Sequence, residues 1–310
     1  MLRNFQDVLA NAASYGRVKI SVAVAQDKDV LQSLKLAHDA GLIEPILVGD
    51  AAVIRPLLAK TGLPADTVVV DEPDINKAAL AAVSLVHNGM AGVVMKGQVN
   101  TSDFLKAVLN AGVGLRTGRL LSHLGVFEVP GEPRLIFHSD GGMNIAPSLA
   151  EKKDILVNAM QMLHSLGIAR PNVAVLTANE QVNPKMPATM DAKALTDMCT
   201  AGELPAGIVE GPIALDVAIS PDAARHKGIV SRISGQVDLF LMPNIETGNA
   251  MGKTLIYYAG AKMAGVVLGA TRPIVLTSRA ETPEGKLYSI ALACLAAGRG
   301  KSSETPGQKQ

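Results

Sequence analysis

Apolar residues in this chain come in short blocks rich in Val, Ile, Leu and Ala, separated by charged or turn-forming residues, and two kinds of block alternate. The β-branched runs at Val18–Ala25, Ile43–Val48, Thr67–Val70 and Gly92–Met95 read as strands. Between them, Val30–Ala40, Ala51–Lys60, Ile75–His87 and Ser102–Asn110 carry their apolar positions at helical spacing. Repeated βα winding of this kind implies a mainly parallel sheet with right-handed crossovers. The rhythm changes at Leu120–His138, where GVFEVPGEPRLIFH gives two strands around a Pro/Gly turn, an antiparallel hairpin inserted in the sheet. A long helix is expected from Pro147 to Leu166. After Pro171 the βα series restarts through NVAVLT, a helix near Met190–Ala201, GIVEG, DLFLM, GVVLG and PIVLTS, and this restart marks a second subdomain. An amphipathic helix is expected before the first strand. The final one, Leu287–Ala297, is expected to pack back on the first series ahead of a polar tail, GRGKSSETPGQKQ, with the composition of a disordered segment.

The pattern thus predicts an α/β protein with mainly parallel sheets and flanking helices, and 310 residues exceed what one core usually serves. Composition narrows the function classes. A net charge of +1 with no long basic run argues against a general nucleic-acid or acidic-membrane surface, and the absence of Trp removes the stacking platforms of single-strand binders. The longest apolar blocks, Ala78–Val86 and Ser289–Ala297, fall well short of the roughly 20 residues a membrane-spanning helix needs. The start of the chain lacks the continuous apolar core of a secretory signal. Two cysteines, Cys199 and Cys294, and six scattered histidines without ligand spacing leave neither a disulfide framework nor a metal site. A soluble, cytoplasmic protein that binds no metal, no nucleic acid and no membrane is expected.

Candidate chemistry collects where apolar strands end. The run Asp238–Thr254, DLFLMPNIETGNAMGKT, passes from a strand that Pro243 ends into a helical pattern opened by Gly248 and Asn249. Open parallel sheets bind ligands beyond the carboxyl ends of their strands. GKT at its end suggests a nucleotide P-loop, but the glycine such a loop requires falls on Thr247, with Gly248 one residue too close. ATP and GTP are not expected. Similar strand ends precede Lys96, His138-Ser-Asp140, Thr177 and Thr277-Ser278-Arg279. Together they supply fixed cations, hydroxyls, amides and helix amino termini, the equipment of an anion site. Lys96 reads either as a phosphate ligand or as a surface lysine beside the helix cap offered by Asn100 or Thr101. Arg116 and Arg119 flank Thr117 in an anion fork, with a solvated turn as the bland alternative. His123 starts a strand, where a structural histidine and a base are both open. Ser278, lacking a GxSxG elbow, reads as a donor to an oxyanion or thiolate and not as a nucleophile.

Seven blocks carry a resemblance: VAVAQD at Val22–Asp27, MKGQVNT at Met95–Thr101, GLRTGRLLSH at Gly114–His123, NPKMPATMDA at Asn183–Ala192, EGPIALDVAIS at Glu210–Ser220, MPNIETGNAMGKT at Met242–Thr254 and VLTSRAETPEGKLYSIALA at Val275–Ala293. In these the chain resembles the phosphate acetyl/butyryltransferase family over nearly its whole length. The resemblance implies a two-domain, isocitrate-dehydrogenase-like α/β fold, divided into 1–145 with 280–310 and 146–279, with the active cleft between them. It implies transfer of a short acyl group, butanoyl in the first instance, between acyl-CoA and inorganic phosphate. Both are substrates; no tightly bound cofactor is implied. Preference for acetyl-CoA is the alternative, and a non-catalytic protein that binds CoA or a phosphorylated metabolite is the reading from another class. An NAD-dependent decarboxylating dehydrogenase, suggested by fold kinship, lacks a clear Asp cluster for its metal.

Carried residue by residue, the resemblance places Ser278 and Arg279 near the CoA sulfur and the phosphate. It gives Lys106 a phosphate contact where relatives often have Arg. Relatives set a catalytic Asp a few residues beyond Ser-Arg; this segment offers Glu281, Glu284 and Ser289 instead, and Glu281 joins the catalytic candidates. The phosphate set is Lys96, Asn100, Thr101, Lys106, Arg116 and Thr117. The CoA and substrate set is His123, Asp140, Asn144, Asn244, Glu246, Thr247, Gly248 and Asn249. A homodimer or larger homo-oligomer is also implied.

Overall fold

In the computed structural model, which describes residues 2–277 and 281–300, strands and helices alternate nearly throughout. The order opens with α1 (Phe5–Ser14), β1 (Val18–Ala23), α2 (Lys28–Asp39), β2 (Ile43–Gly49), α3 (Ala51–Thr61), β3 (Val68–Asp71), α4 (Ile75–His87), β4 (Val93–Lys96) and α5 (Thr101–Val108). It continues with β5 (Ser122–Glu128), β6 (Ile136–Ser139), α6 (Leu149–Ser165), β7 (Asn172–Leu176), α7 (Pro187–Thr200), β8 (Ile208–Ile213), α8 (Leu215–Ile219), α9 (Pro221–His226), β9 (Leu239–Leu241) and α10 (Ile245–Tyr257). β10 (Lys262–Leu268), β11 (Ile274–Val275) and α11 (Pro283–Gly300) close it.

The chain divides into two compact units, Asn4–Arg119 with Ala264–Gln310, and Leu120–Met263 with Met1–Arg3. These divisions fall at 119/120 and 263/264, not at the expected 145/146 and 279/280. Strand pairing explains the shift. β6 hydrogen-bonds in parallel to β9, which keeps the 122–139 hairpin in the later unit, and β11 pairs in parallel with β4, which returns residues 274–275 to the earlier one.

In the unit built on Asn4–Arg119 the strands lie in the order β3-β2-β1-β4-β11-β10. All but β10 run parallel, and their inner residues, such as Ile20, Val22, Leu47, Val93 and Val94, are fully buried, as strands covered on both faces must be. The connections are locally encoded. Asp27, Asp50 and Asp74 each precede a helix and accept a hydrogen bond from a backbone N–H of its first turn, which satisfies a donor the helix itself leaves orphaned. α11 returns to this unit: Tyr288, buried, stacks on Phe5 of α1 with ring centroids 4.3 Å apart.

In the other unit the order is β5-β6-β9-β7-β8. β5 and β6 form the expected antiparallel hairpin, Gly125 facing His138 and Val126 facing Phe137, and β6, β9, β7 and β8 are parallel. α6 begins at a capping box between Ser148 and Glu151. Ile233, Val237, Phe240, Met242 and their neighbours form a core that also buries Val217 and Ala218 of α8 and Ala224 of α9, two short helices the apolar pattern did not reveal. Among the described residues no helix is long and apolar enough to cross a membrane.

Candidate functional site

In the Leu120–Met263 unit, β6 and β9 are parallel neighbours, so the loops that follow them leave the same edge of the sheet. The first contains Asp140 and Asn144 and starts at a cis Ser139–Asp140 peptide; the second contains Asn244–Asn249. They are tied together directly. The Met242 N–H donates to the Ser139 carbonyl at 2.7 Å, the Ile245 N–H to the Ile145 carbonyl at 2.9 Å, and the Asn249 side chain to the Gly141 carbonyl at 3.4 Å. Gly141 and Gly248 meet backbone to backbone: a Cβ on Gly248 would lie 2.6 Å from the Gly141 Cα.

Asp140 is buried and its carboxylate is engaged by the chain itself. Oδ2 accepts from the His123 N–H at 2.9 Å and the Asn144 side chain at 2.7 Å, while Oδ1 accepts from the N–H groups of Gly142 and Met143 at 2.7 and 2.9 Å. Asn144 also donates to the Leu121 carbonyl at 3.0 Å. The pair holds the 140–144 loop against the start of β5. Asn244 caps α10, accepting from the Thr247 N–H at 3.0 Å and the Thr247 hydroxyl at 2.7 Å. The helix therefore begins at Ile245, three residues before the expected Gly248, because the Asn cap and not the glycine sets its start. Glu246, Thr247 and Asn249 stand exposed on its first turn, and Gly248 is buried beneath them.

Two histidines stand beside this loop. His123 lies against Gly142, a Cβ on which would be 3.2 Å from its ring, and its buried Nδ1 has no hydrogen-bond partner among the described residues. Burial lowers its pKa, with the nearby Asp140 charge opposing. His138 is buried edge-on to Phe127, ring centroids 4.6 Å apart, in space left by Gly125 and Gly252. Burial, reinforced by the neighbouring His123, pushes its pKa down to about 3. Both rings are held neutral near pH 7.

In the Asn4–Arg119 unit Lys96, Asn100 and Thr101 sit at the carboxyl end of β4, whereas Arg116 and Thr117, expected beside them, are held on the β10–β11 turn at the amino end of β11, because the chain crosses to that end along α5. Lys96 is buried, which removes the surface-lysine alternative. Its Nζ donates to the Gly97 carbonyl at 3.2 Å and the Val99 carbonyl at 3.0 Å. Gly97 is required by close approach, since a Cβ there would fall 2.3 Å from the Val24 carbonyl oxygen. Val24 itself has φ +58°, a conformation uncommon for a β-branched residue. Asn100 occupies the cap position of α5 without a side-chain cap hydrogen bond, and it and Thr101 are exposed. Lys106 donates to Asp103 at 2.9 Å, and that hydrogen bond holds the Asp103 carboxyl below its ordinary pKa. Arg116 is exposed and bridges to Ala270, while the Thr117 hydroxyl donates to the Gly269 carbonyl.

β11 is in register with β4, Val275 opposite Met95, so Thr277 leaves the sheet at the edge where Lys96 does. Ser278 and Arg279, which come next, lie outside the described residues. Glu281 is half-buried over Gly285, and its carbonyl accepts from the Nζ of Lys286 at 2.6 Å. Lys286 is itself buried. Neither it nor Gln26 drew notice in the sequence. Gln26 follows β1, and its buried Oε1 has no hydrogen-bond partner among the described residues. Its signal, the VAVAQD block, was legible without a role attached.

Residues 70–294 match the family described as phosphate acetyl/butaryl transferase. The chain is 47% identical over 299 residues to the phosphate butyryltransferase of Clostridium acetobutylicum, covering 96% of this chain and 99% of that one. It is 38% identical over 301 residues to a phosphate acetyltransferase of Rhizobium meliloti, covering 97% and 95%. The crystal structure of a branched-chain phosphotransacylase from Enterococcus faecalis V583 superposes with a TM-score of 0.79 at 32% identity, covering 90% of this chain and 99% of that one. The chain belongs to the phosphate acetyl/butyryl transferase family.

Proposed function

From that membership we propose that the protein is an acyltransferase that moves a short acyl group between acyl-CoA and inorganic phosphate, with butanoyl-CoA as the preferred partner. The observation that carries this reading is the end-to-end 47% identity with a phosphate butyryltransferase. Acetyl-CoA preference is the second reading, favoured by the 38% identity with a phosphate acetyltransferase. One methylene in an apolar pocket is worth only about 1–3 kcal/mol, so activity on neighbouring chain lengths is expected.

A phosphate oxygen attacks the thioester carbonyl carbon, the carbonyl oxygen takes up charge in a tetrahedral intermediate, and the C–S bond then breaks. The products are acyl phosphate and CoA thiolate. Phosphate is already ionised near pH 7, so the harder task is to bring two anions together, which fixed cations and N–H groups do by electrostatics and proximity. In this reading Arg279 binds the attacking phosphate, Ser278 donates to the oxyanion or departing thiolate, and Glu281 positions a proton. Lys96, Asn100, Thr101 and Lys106 serve the phosphate, and the 140–144 loop and the first turn of α10 serve CoA; Arg116 and Thr117 stand at the opposite end of the sheet from Lys96 and take no part. The buried Lys96 and the exposed Glu246, Thr247 and Asn249 support these assignments. Both substrates exchange freely, no resident cofactor takes part, and the enzyme works as a cytoplasmic homo-oligomer.

The test is thiol release from acetyl-, propionyl-, butanoyl- and longer acyl-CoAs, with and without phosphate. Phosphate-dependent release, fastest with butanoyl-CoA, is expected. No phosphate-dependent release from any of them would sink the reading.

A further inference from the structure

The Asn4–Arg119 unit has a second concavity, at the amino-terminal ends of its strands. Tyr15, the first residues of β1, β2 and the edge strand β3, the turn after α4 and the end of α11 enclose a cleft of about 860 Å³, within the roughly 300–1,000 Å³ of small-molecule sites. Its floor is apolar. Ile46 of β2 is paired with Val68 of β3, and Val70, two residues further along the same strand, shares that face. Val68 is 56% exposed and Met90, which also lines the cleft, 51%. The cleft is also cationic: Arg17, Lys19 and Arg272 line it against the single carboxylate of Glu44, which pairs in register with Lys19.

This place is separate from the carboxyl-edge loops. β1 runs from Val18, in the cleft, to Ala23, which pairs in register with Lys96. At about 3.3 Å per residue its ends stand roughly 17 Å apart. A doubly wound sheet puts its reaction chemistry at the carboxyl ends of its strands, so a built cleft at the other end calls for a different occupant. Cations lining a cleft with an apolar floor select a molecule with an anionic head and a hydrocarbon body: Arg pairs with carboxylate or phosphate, and the valines and Met90 gain from being covered.

We propose that this cleft binds an amphipathic organic anion, a carboxylate or phosphate head on an aliphatic chain, at a site distinct from that of the acyl-transfer substrates. Isothermal titration of the full chain with decanoate and with decyl phosphate tests it, with butanoate and decyltrimethylammonium as controls for chain and charge. Saturable binding of decanoate or decyl phosphate at least about 10-fold tighter than either control is expected; whichever head binds tighter identifies the preferred source. Arg272→Glu and Val68→Asp should each weaken it by about 10-fold or more, while leaving phosphate-dependent thiol release and the melting temperature unchanged. If either variant fails to fold, Lys19→Glu, on an exposed side chain, takes its place. Absence of saturable binding, equal binding of the cationic control, or binding that survives these substitutions would overturn the proposal. The last outcome would place the probe in the acyl pocket instead. Thiol release is measured separately, so failure of this site leaves the acyl-transfer reading untouched.

Discussion

Asp140 accepts hydrogen bonds from the backbone of His123, Gly142 and Met143 and from the Asn144 side chain, so its work is to hold a loop in shape before any substrate arrives. In the sequence it reads as a polar residue at a strand end, the same signal that marks Lys96 and Asn244, because composition records a carboxylate but not which donors reach it. Asp140→Ala leaves four donors unmatched in a buried setting, and a loss of about 3 kcal/mol in unfolding free energy is expected, measured by urea titration. An unchanged midpoint would mean that water replaces the carboxylate without cost. Arg279 makes the opposite case: it reads in the sequence as a permanent charge at a strand end, and the role proposed for it comes from the resemblance carried by the block Val275–Ala293. Loss of a preorganised charge-stabilising donor costs turnover on the order of 10²-fold, so Arg279→Ala should lower kcat by about that factor or more. A near-wild-type rate would remove Arg279 from the reaction.

At the scale of elements, the βα rhythm of the apolar blocks carries most of the fold. β1–β4, the β5–β6 hairpin and α4 fall where period and turn residues put them, since each is fixed by local pattern, an Asp cap or a Pro/Gly turn. α10 departs from its expected start because Asn244 accepts from the Thr247 N–H in the helix's first turn, which brings Gly248 one turn inside it. There Gly248 permits the helix to press on the backbone of Asp140 and Gly141, a demand set by residues more than 100 positions away. Gly248→Ala forces a Cβ to within 2.7 Å of the Asp140 carbonyl oxygen, where neither backbone can yield cheaply. Overpacking of this kind costs about 1–3 kcal/mol, so a lower melting temperature is expected together with a raised KM for acyl-CoA. A raised KM at unchanged melting temperature would assign the glycine to ligand fit alone.

At the scale of the whole molecule, stability carries a pH dependence of its own. His138 has a folded pKa of about 3 against an unfolded value near 6.5, and His123 is shifted in the same direction. The sign follows from proton uptake. For His138, between those two values the unfolded chain binds a proton that the folded one refuses, so its contribution to stability is full above about pH 6.5 and falls as pH drops toward 3, by about 1.4 kcal/mol per unit; His123 acts in the same direction. His138→Gln should shrink the stability difference between pH 7 and pH 4.5 by about 2–3 kcal/mol in urea titrations. An unaltered difference would mean that His138 is protonated in the fold.

The sequence by itself determined the α/β class, the succession of elements, the family and the catalogue of polar residues at strand ends, because periodicity, caps and turns are local properties and long blocks of similarity survive drift. Tertiary structure alone decided how those residues are spent and how the chain is partitioned. Lys96 is buried on two carbonyls, Asp140 is satisfied by its own loop, and residues 264–300 complete the unit that starts at Asn4. The cationic cleft beneath β1–β3 was also beyond sequence reading, since Arg17, Val68 and Arg272 share a wall only after the sheet has formed. Burial, hydrogen-bond partnership and strand pairing each depend on positions far apart in the chain, and no local pattern encodes them.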